Sequence, residues 1–346
     1  MLNFRIGKDR RSLKGFYMPA IQLDQIAQAT KTAFLFPGQG SQKVGMLAEL
    51  AEQFDTIHST FAEASAALGF DLWHIAQSGE GLDQTQFTQP VLLTASIALW
   101  RLWLELGGVV PKYLAGHSLG EYSALVAGQA LSLGDAVKLV HLRGKLMQDA
   151  VPQGQGAMAA ILGLDDDKVV ALCQQVSAEN TDQSVEAANY NAKGQVVVAG
   201  HSEAVQQLMV LAKENGAKAI ALPVSVPSHC SLMKSAAQAF ATALEQTAIE
   251  LPAIPVIQNV NAKIATDVEQ LRTALTAQLF ESVQWTQTMQ YIQQHEIQYV
   301  AECGPGNVLA NLAKRLPDIE KAFPLDTQSR IEDALSAILV AEGKIA

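Results

Sequence analysis

Residues 113–122 read Tyr-Leu-Ala-Gly-His-Ser-Leu-Gly-Glu-Tyr and hold the feature that decides the fold, a serine flanked by glycines. The apolar run 113–115 predicts a short buried strand, and the Ala- and Leu-rich residues 119–128 predict a helix, so Ser118 lies at a strand-to-helix turn. The flanking glycines relieve crowding in the turn, and the helix directs its unpaired N–H groups towards negative charge forming near the serine. The alternative is an ordinary glycine-bounded turn. We predict that Ser118 is a nucleophile that forms a covalent acyl-enzyme.

The segments around this turn alternate between strand and helix patterns. Residues 32–36 predict a buried strand that ends in the turn-forming sequence Pro-Gly-Gln-Gly, and helical patterns follow over about 45–68 and 90–106. Strands that alternate with helices indicate an α/β protein with a mostly parallel sheet covered on both faces. We expect an α/β-hydrolase-like core.

Residues 154–226 form a unit of different character. Its predicted elements are, in order, strand, helix, strand, strand, helix and strand, at 156–163, 165–176, 185–190, 195–199, 202–215 and 219–226. This is the βαββαβ order of a ferredoxin-like subdomain, with Ser202 as the predicted cap of the second helix. Because the patterns of the larger layer resume afterwards, we expect an insert in a catalytic domain made of residues 31–153 and 227–346. Residues 1–30, which carry a basic run, are interpreted as an N-terminal appendage.

Composition excludes several classes of function. The chain has 346 residues and a formal net charge of −10, which argues against a global nucleic-acid surface. Its three cysteines show no disulfide or zinc-ligand spacing, so a reducing cytoplasm is the expected location and no metal is expected. The longest apolar stretch, 91–110, is interrupted by Arg101 and Glu105 and predicts a buried helix, not a membrane span.

A serine hydroxyl needs a base at neutral pH, and seven histidines could supply one. His229 follows the predicted strand 219–226 in a short loop, which is where rigid scaffolds present catalytic groups. The order of serine before histidine also matches α/β-hydrolase-like arrangements. On spacing alone His229 leads the other histidines without excluding them. His117 adjoins the serine but is expected to point away from it and to pack.

Five motifs occur along the chain in a fixed order. They are Phe-Pro-Gly-Gln-Gly-Ser-Gln at 36–42, Gly-His-Ser-Leu-Gly-Glu-Tyr at 116–122, Arg-Gly-Lys-Leu-Met-Gln at 143–148, Val-Ser-Val-Pro-Ser-His at 224–229 and Glu-Cys-Gly-Pro-Gly at 302–306. Together they resemble the family of malonyl-CoA:acyl carrier protein transacylases, which load malonyl groups for fatty-acid synthesis. The resemblance covers the chain from Thr32 to its C-terminal helices, and this family also has a ferredoxin-like insert.

The resemblance implies a role for each matching residue. Ser118 would be the nucleophile and His229 its base, with the imidazole ring oriented by the backbone carbonyl of Gln278 in place of a carboxylate. The backbone N–H groups of Gln39 and Leu119 would form the oxyanion hole. No metal or redox cofactor is implied.

Arg143 carries the expectation about specificity. A malonyl thioester has a free carboxylate, which a planar guanidinium grips with two parallel hydrogen bonds. The other interpretation is a surface arginine on a helix. The implied partners are malonyl-CoA and acyl carrier protein, with no nucleic acid and no membrane. Since such carriers are generally acidic, docking on this acidic chain needs a local basic patch, for which Lys193, Lys314 and Arg315 are candidates.

Three other functions stay open at this point. One is a polyketide-type acyltransferase that uses another acyl-CoA, another is a serine hydrolase, and the third is a non-catalytic module that binds carrier proteins. Asn191 and Asn259 are further candidates for lining the site. The sequence is compatible with a monomer and leaves the oligomeric state open.

Overall fold

The computed structural model describes residues 22–179, 182–224 and 226–345. Within these ranges the strands are β1 (Thr32–Phe36), β2 (Tyr113–Gly116), β3 (Gly156–Leu162), β4 (Val185–Ala192), β5 (Gln195–His201), β6 (Lys218–Ala221), β7 (Val256–Ile257), β8 (Tyr299–Glu302) and β9 (Lys321–Pro324). The helices are α1 (Ala48–Ala51), α2 (Asp55–Leu68), α3 (Leu72–Ser78), α4 (Thr85–Glu105), α5 (Gly120–Ala127), α6 (Leu133–Asp149), α7 (Asp166–Glu179), α8 (Ser202–Glu214), α9 (Lys234–Gln246), α10 (Val268–Ala277), α11 (Trp285–Gln294), α12 (Val308–Ala313) and α13 (Gln328–Ala341). Two short 3₁₀ helices are Leu23–Gln25 and Ser231–Met233.

Five strands form a parallel sheet in the order β7-β2-β1-β8-β9. Phe34 of the central strand belongs to a core cluster that includes residues of α2, α4 and α6, whereas Leu35 belongs to a second cluster with residues of α11 and α12. Since successive side chains of a strand point to opposite faces, helices cover both sides of the sheet. The predicted α/β class with a mostly parallel sheet is confirmed.

The register of this sheet places the functional turns together. Phe36, the last residue of β1, lies opposite Gly116, the last residue of β2. The loop after β1 and the serine turn after β2 therefore leave the sheet side by side, because the carboxyl ends of parallel strands share one edge.

A separate antiparallel sheet has the strand order β4-β5-β3-β6. Helices α7 and α8 pack on one of its faces around a third core cluster. The predicted strand 219–226 is too long, since β6 ends at Ala221, and Leu222, Val224 and Val226 after it line a cavity that also contains Ser118. The predicted cap of α8 is also wrong. His201 occupies the N-cap position, and Ser202 is the first helical residue, whose hydroxyl donates to the carbonyl of Gly154.

Two helix predictions in the first third of the chain need correction. The pattern 45–68 is interrupted by Phe54, which has extended backbone and separates α1 from α2. Helix α4 begins at Thr85, not at Pro90. Pro90 is tolerated in the second turn because the helix bond that it cannot make is replaced: the carbonyl of Gln86 pairs with the His141 ring at 2.8 Å. Among the described residues, no helix is long and apolar enough to cross a membrane.

The described part of the N-terminal segment is attached to the core. Leu23 and Ala29 are buried, and the backbone N–H of Ala29 donates to the carbonyl of Val110. The Glu342 carboxylate accepts hydrogen bonds from the backbone N–H groups of Thr30 and Lys31. Residues 1–21 of the predicted appendage lie outside the described residues.

Candidate active site

The serine lies on a tight turn between β2 and α5, as predicted. Ser118 has a backbone φ of 52°, in the left-handed region that side chains other than glycine adopt at a cost. A Cβ atom at Gly116 would lie 1.9 Å from the carbonyl carbon of Gly120, and one at Gly120 would lie 2.0 Å from the oxygen of Phe36. The two glycines are therefore required by the close approach of the turn to itself and to the end of β1.

His229 is the histidine that the fold brings to the serine. Its Nε2 lies 2.8 Å from Ser118 Oγ, and its Nδ1 lies 2.7 Å from the backbone carbonyl oxygen of Gln278. Because a carbonyl only accepts hydrogen bonds, Nδ1 carries the proton of the neutral ring and Nε2 is left as an acceptor for the serine proton. This is the arrangement that a general base needs.

The environment of His229 keeps the ring neutral. The residue is buried, and burial together with the nearby Arg143 charge lowers the pKa of His229 to about 3, while the bond to the Gln278 carbonyl acts in the opposite direction. Neutral imidazole is therefore the resting form across the physiological pH range.

Arg143 projects from α6 into the same site. It is 1% exposed, so the interpretation as a surface arginine is wrong. Its Nη2 lies 3.3 Å from Ser118 Oγ and 3.0 Å from Gln278 Oε1, and its guanidinium lies 5.5 Å from the ring centre of Tyr122. Nε has no hydrogen-bond partner among the described residues. A buried cation with an unused donor beside a nucleophile favours an anionic ligand.

Two backbone donors flank the serine. Gln39 lies in the loop after β1, Leu119 is the N-cap residue of α5, and both line the cavity that contains Ser118. No hydrogen bond from the backbone N–H of either residue is found in the described part of the chain. The two groups are thus available to an oxygen bound beside Ser118 Oγ, as an oxyanion hole requires.

The rest of the cavity is mainly apolar. It is lined by Met147 of α6, Met158 of β3 and, after β6, Leu222, Val224 and Val226, together with the polar side chains of Gln89, Asn189 and Ser228. None of these residues was predicted to line the site. The apolar ones differ in no way from ordinary core residues in the sequence, although Met147, Val224 and Val226 lie within the motifs at 143–148 and 224–229.

His117 does not act on the serine. Its Nε2 pairs with Asn191 Oδ1 at 2.8 Å, and its ring lies 5.4 Å from that of Trp285. Burial lowers the pKa of His117. The expectation that this histidine packs is in agreement with these contacts, and Asn191 reaches the site only through His117.

Asn259 and Glu121 complete the site from behind. Asn259 Oδ1 accepts from the backbone N–H of Ser118, and its Nδ2 donates to the carbonyl of Gly116, both at 2.6 Å. Asn259 was a candidate from the sequence, whereas Glu121 was missed. The available signal was its place in the 116–122 motif, one helical turn after the serine.

None of the three candidate docking residues lines the cavity. Lys193 and Lys314 are exposed, and Arg315 donates to Gln195 Oε1 at 2.9 Å. This contact joins the end of α12 to the β4–β5 hairpin, so the three basic residues come from two neighbouring elements of the fold.

A comparison with protein families gives a match of residues 33–321 to the acyl transferase domain. The chain belongs to the acyl transferase domain family. This membership agrees with a cavity lined by a serine, a neutral histidine and two residues whose backbone N–H groups have no hydrogen-bond partner among the described residues, because acyl transfer through a serine needs these parts.

Relatives of this acyl transferase are similar over almost their whole length. A protein from Salmonella typhimurium named malonyl CoA-acyl carrier protein transacylase is 50% identical over 310 residues, which are 89% of this chain and 99% of the relative. The crystal structure of FabD from Acinetobacter baumannii is 78% identical with a TM-score of 0.90, and the match covers 90% of this chain and 99% of that one. A malonyl-transacylase in complex with a type II PKS acyl-carrier protein is 46% identical with a TM-score of 0.86, over 89% and 99% of the two chains.

Proposed function

We propose that this protein transfers the malonyl group of malonyl-CoA to the phosphopantetheine thiol of acyl carrier protein through a malonyl-serine intermediate. The observation that carries the proposal is the buried Arg143, whose Nη2 lies 3.3 Å from Ser118 Oγ. An acyltransferase for neutral acyl groups gains nothing from a desolvated cation at this place. The names of the relatives, malonyl transacylases at 46–50% identity, support the same substrate and carrier.

The first half-reaction forms the acyl-enzyme. Ser118 Oγ attacks the thioester carbonyl carbon while His229 Nε2 takes the hydroxyl proton, and the negative oxygen of the tetrahedral intermediate accepts hydrogen bonds from the N–H groups of Gln39 and Leu119. The intermediate collapses, the carbon–sulfur bond breaks, and protonated His229 gives its proton to the departing CoA thiolate. The second half-reaction reverses these steps with the carrier thiol as the nucleophile.

Arg143 links recognition of the acyl group to the strength of the base. Its positive charge is one of the causes that lower the pKa of His229. A malonyl carboxylate paired with the guanidinium neutralises this charge and makes the imidazolium easier to form. A substrate with a carboxylate is therefore expected both to bind better and to react faster than a neutral acyl group.

The carrier protein is proposed to dock on the basic residues Lys193, Lys314 and Arg315. All three are exposed, Lys193 lies in the β4–β5 hairpin, and Arg315 contacts Gln195 of the same hairpin. Asn191 of this hairpin pairs with His117, the neighbour of Ser118, which supports a docking site on this part of the molecule. A carrier of polyketide assembly is the second candidate, because one similar structure is a malonyl-transacylase bound to a type II PKS carrier.

We assign residues 31–153 and 227–346 to an α/β-hydrolase-like catalytic domain and residues 154–226 to a ferredoxin-like subdomain. The separate antiparallel sheet with its own core cluster supports this division. The free thiols of the three buried cysteines support a cytoplasmic location.

A panel of acyl-CoAs, incubated with the enzyme with and without carrier proteins, tests the function by intact-mass measurement. A malonyl adduct that moves to fatty-acid carrier protein is the expected result, and preferential transfer to a polyketide carrier favours the second candidate. Rapid release of free malonate without carrier indicates a serine hydrolase. A chain that forms no adduct with any acyl-CoA is a binding module, and the proposal is then wrong.

A further inference from the structure

A buried carboxyl group lies behind the Ser118–His229 pair and has no task in the mechanism above. Glu121 is 1% exposed. Its Oε2 accepts hydrogen bonds from Gln278 Nε2 at 2.7 Å and from the backbone N–H of Asn259 at 3.1 Å, and its Oε1 has no partner among the described residues. Burial of a carboxyl group costs folding free energy unless hydrogen bonds satisfy its oxygens, so the position of Glu121 needs a physical reason.

The side-chain amide of Gln278 connects this carboxyl group to Arg143. Nε2 of the amide donates to Glu121 and, at 3.0 Å, to the carbonyl of Ser118, whereas Oε1 accepts from Arg143 Nη2 at 3.0 Å. A carboxylate only accepts hydrogen bonds and a guanidinium only donates them. The Gln278 amide therefore satisfies both groups in only one orientation, with Nε2 towards the Glu121 carboxylate and Oε1 towards the Arg143 guanidinium.

Arg143 depends on this amide for its direction. In the described part of the chain, no carboxylate lies within salt-bridge distance of the guanidinium. Gln278 Oε1, at 3.0 Å, is the nearer of the two side-chain oxygens that Nη2 contacts, the other being Ser118 Oγ at 3.3 Å. A guanidinium grips a carboxylate with two bonds only when its plane is correctly aimed.

We propose that Glu121 is a positioning residue: it orients the Gln278 amide and, through that amide, aims the Arg143 guanidinium at the carboxylate of the acyl group. The inference rests on the function proposed above and makes Glu121 a determinant of acyl specificity that never touches the substrate. The hydrogen-bond acceptor of Glu121 does the positioning, while its negative charge opposes the binding of a second carboxylate nearby.

These two effects can be separated with variants of nearly equal size. Glu121→Gln removes the charge and keeps an acceptor for Gln278 Nε2, whereas Glu121→Met removes both. Burial raises the pKa of Glu121 to about 7, so measurements at pH 8 compare both variants with an ionised wild-type group. The readout is kcat/KM for malonyl-CoA and for acetyl-CoA, followed as carrier acylation by mass.

The expected result is a loss of malonyl preference in one variant alone. Glu121→Met lowers kcat/KM for malonyl-CoA by about ten-fold or more, as a misaimed binding group does, with acetyl-CoA little changed. Glu121→Gln keeps the wild-type ratio of malonyl to acetyl or raises it. Equal ratios in the two variants, or equal losses for both acyl groups, overturn the proposal.

Two further variants keep the test decisive. If Glu121→Met does not fold, the double variant Glu121→Met with Gln278→Met removes the carboxyl together with the amide that it orients and keeps the backbone carbonyl for His229. An unchanged malonyl-to-acetyl ratio in it overturns the proposal. Glu302→Gln, a change to a buried carboxyl outside the cavity, should leave the ratio unchanged. A wild-type enzyme without a malonyl adduct disproves the function itself, which is a different failure from an unchanged ratio.

Discussion

Ser118 and His229, whose Oγ and Nε2 atoms lie 2.8 Å apart, both have left-handed backbone, with φ values of 52° and 63°. Neither residue is a glycine, so each conformation costs about 1–3 kcal/mol that the surrounding structure has to supply. Asn259 holds the backbone of the serine turn, and the carbonyl of Leu279 holds the backbone N–H of His229 at 3.0 Å. Hydrogen bonds to the backbone of both residues therefore hold their side chains in position, which favours a base that is already in place before the substrate binds.

Replacement of the nucleophile should abolish the covalent intermediate. We expect Ser118→Ala to give no malonyl adduct and no carrier acylation, because no other hydroxyl lies within 2.8 Å of His229 Nε2 in the described part of the chain. Ser123→Ala is the matched control, since Ser123 is a buried serine on α5, the helix that follows Ser118, and does not line the cavity. A malonyl adduct detected by intact mass in Ser118→Ala would remove the assignment.

Removal of the guanidinium should change the choice of acyl group. Arg143→Met is expected to lower kcat/KM for malonyl-CoA by about 10- to 100-fold, the cost of a lost hydrogen bond to a charged group, while the value for acetyl-CoA stays the same or rises. Arg143→Lys should recover only part of the loss, because an ammonium group lacks the planar fork. An unchanged ratio in Arg143→Met contradicts the carboxylate clamp.

The parts of the site that depend on local structure can be predicted from the sequence. The turn at Ser118 is indicated by the residues next to it in the sequence, and the parallel sheet by short apolar segments such as 32–36 and 113–115. His229 could be ranked above the other histidines because loops at strand ends carry functional groups, but spacing alone did not decide it. The resemblance to a family supplied Gln278.

The remaining parts depend on contacts between distant segments. Glu121 and Gln278 are 157 positions apart in the sequence, and Ser118 and Asn259 are 141 positions apart. No local sequence pattern therefore predicts the hydrogen bonds between them. The start of α4 was misplaced for a similar reason. A helix with a proline in its second turn is stable here because His141, on another helix, pairs with the freed carbonyl of Gln86.

Loss of the asparagine that holds the serine turn should slow both acyl groups equally. Asn259→Ala removes the two 2.6 Å bonds to Ser118 N–H and the Gly116 carbonyl but leaves Arg143 and its partner Gln278 in place. We expect kcat to fall by about ten-fold or more for malonyl and acetyl transfer alike, since the nucleophile itself is displaced. A selective loss of malonyl transfer would show that Asn259 acts through Arg143 instead.

Two N-terminal deletions should differ in stability and agree in activity. Removal of residues 1–30 also removes the buried side chains of Leu23 and Ala29, whereas removal of residues 1–21 keeps them. Burial of these side chains is worth about 3 kcal/mol, so the longer deletion should unfold at a clearly lower temperature than the shorter one. The kcat of both should match that of the full chain, because residues 22–30 do not line the cavity. A lower kcat in the folded longer deletion would give this segment a functional role.

The buried carboxyl of Glu302 should make stability depend on pH in a predictable direction. Burial raises the pKa of Glu302 from 4.5 to about 7, while its bond from the Ala310 N–H acts in the opposite direction. The folded state therefore binds a proton that the unfolded state has already released between these two pH values. The corresponding stabilisation is complete below about pH 4.5 and is lost as the pH rises through 7.

Glu302→Gln removes this titration and keeps an acceptor for the Ala310 N–H. Relative to the wild type, the variant should gain stability as the pH rises from 5 to 8, by up to about 3 kcal/mol, which is the free energy of a shift from 4.5 to about 7. Urea unfolding of both proteins at a series of pH values measures the difference, and the comparison cancels the contributions of other titrating groups such as His229. A difference that stays constant over this range would show that Glu302 titrates alike in the folded and unfolded states. Since the carboxyl lies outside the cavity, kcat/KM for malonyl-CoA should follow the same pH profile in both proteins.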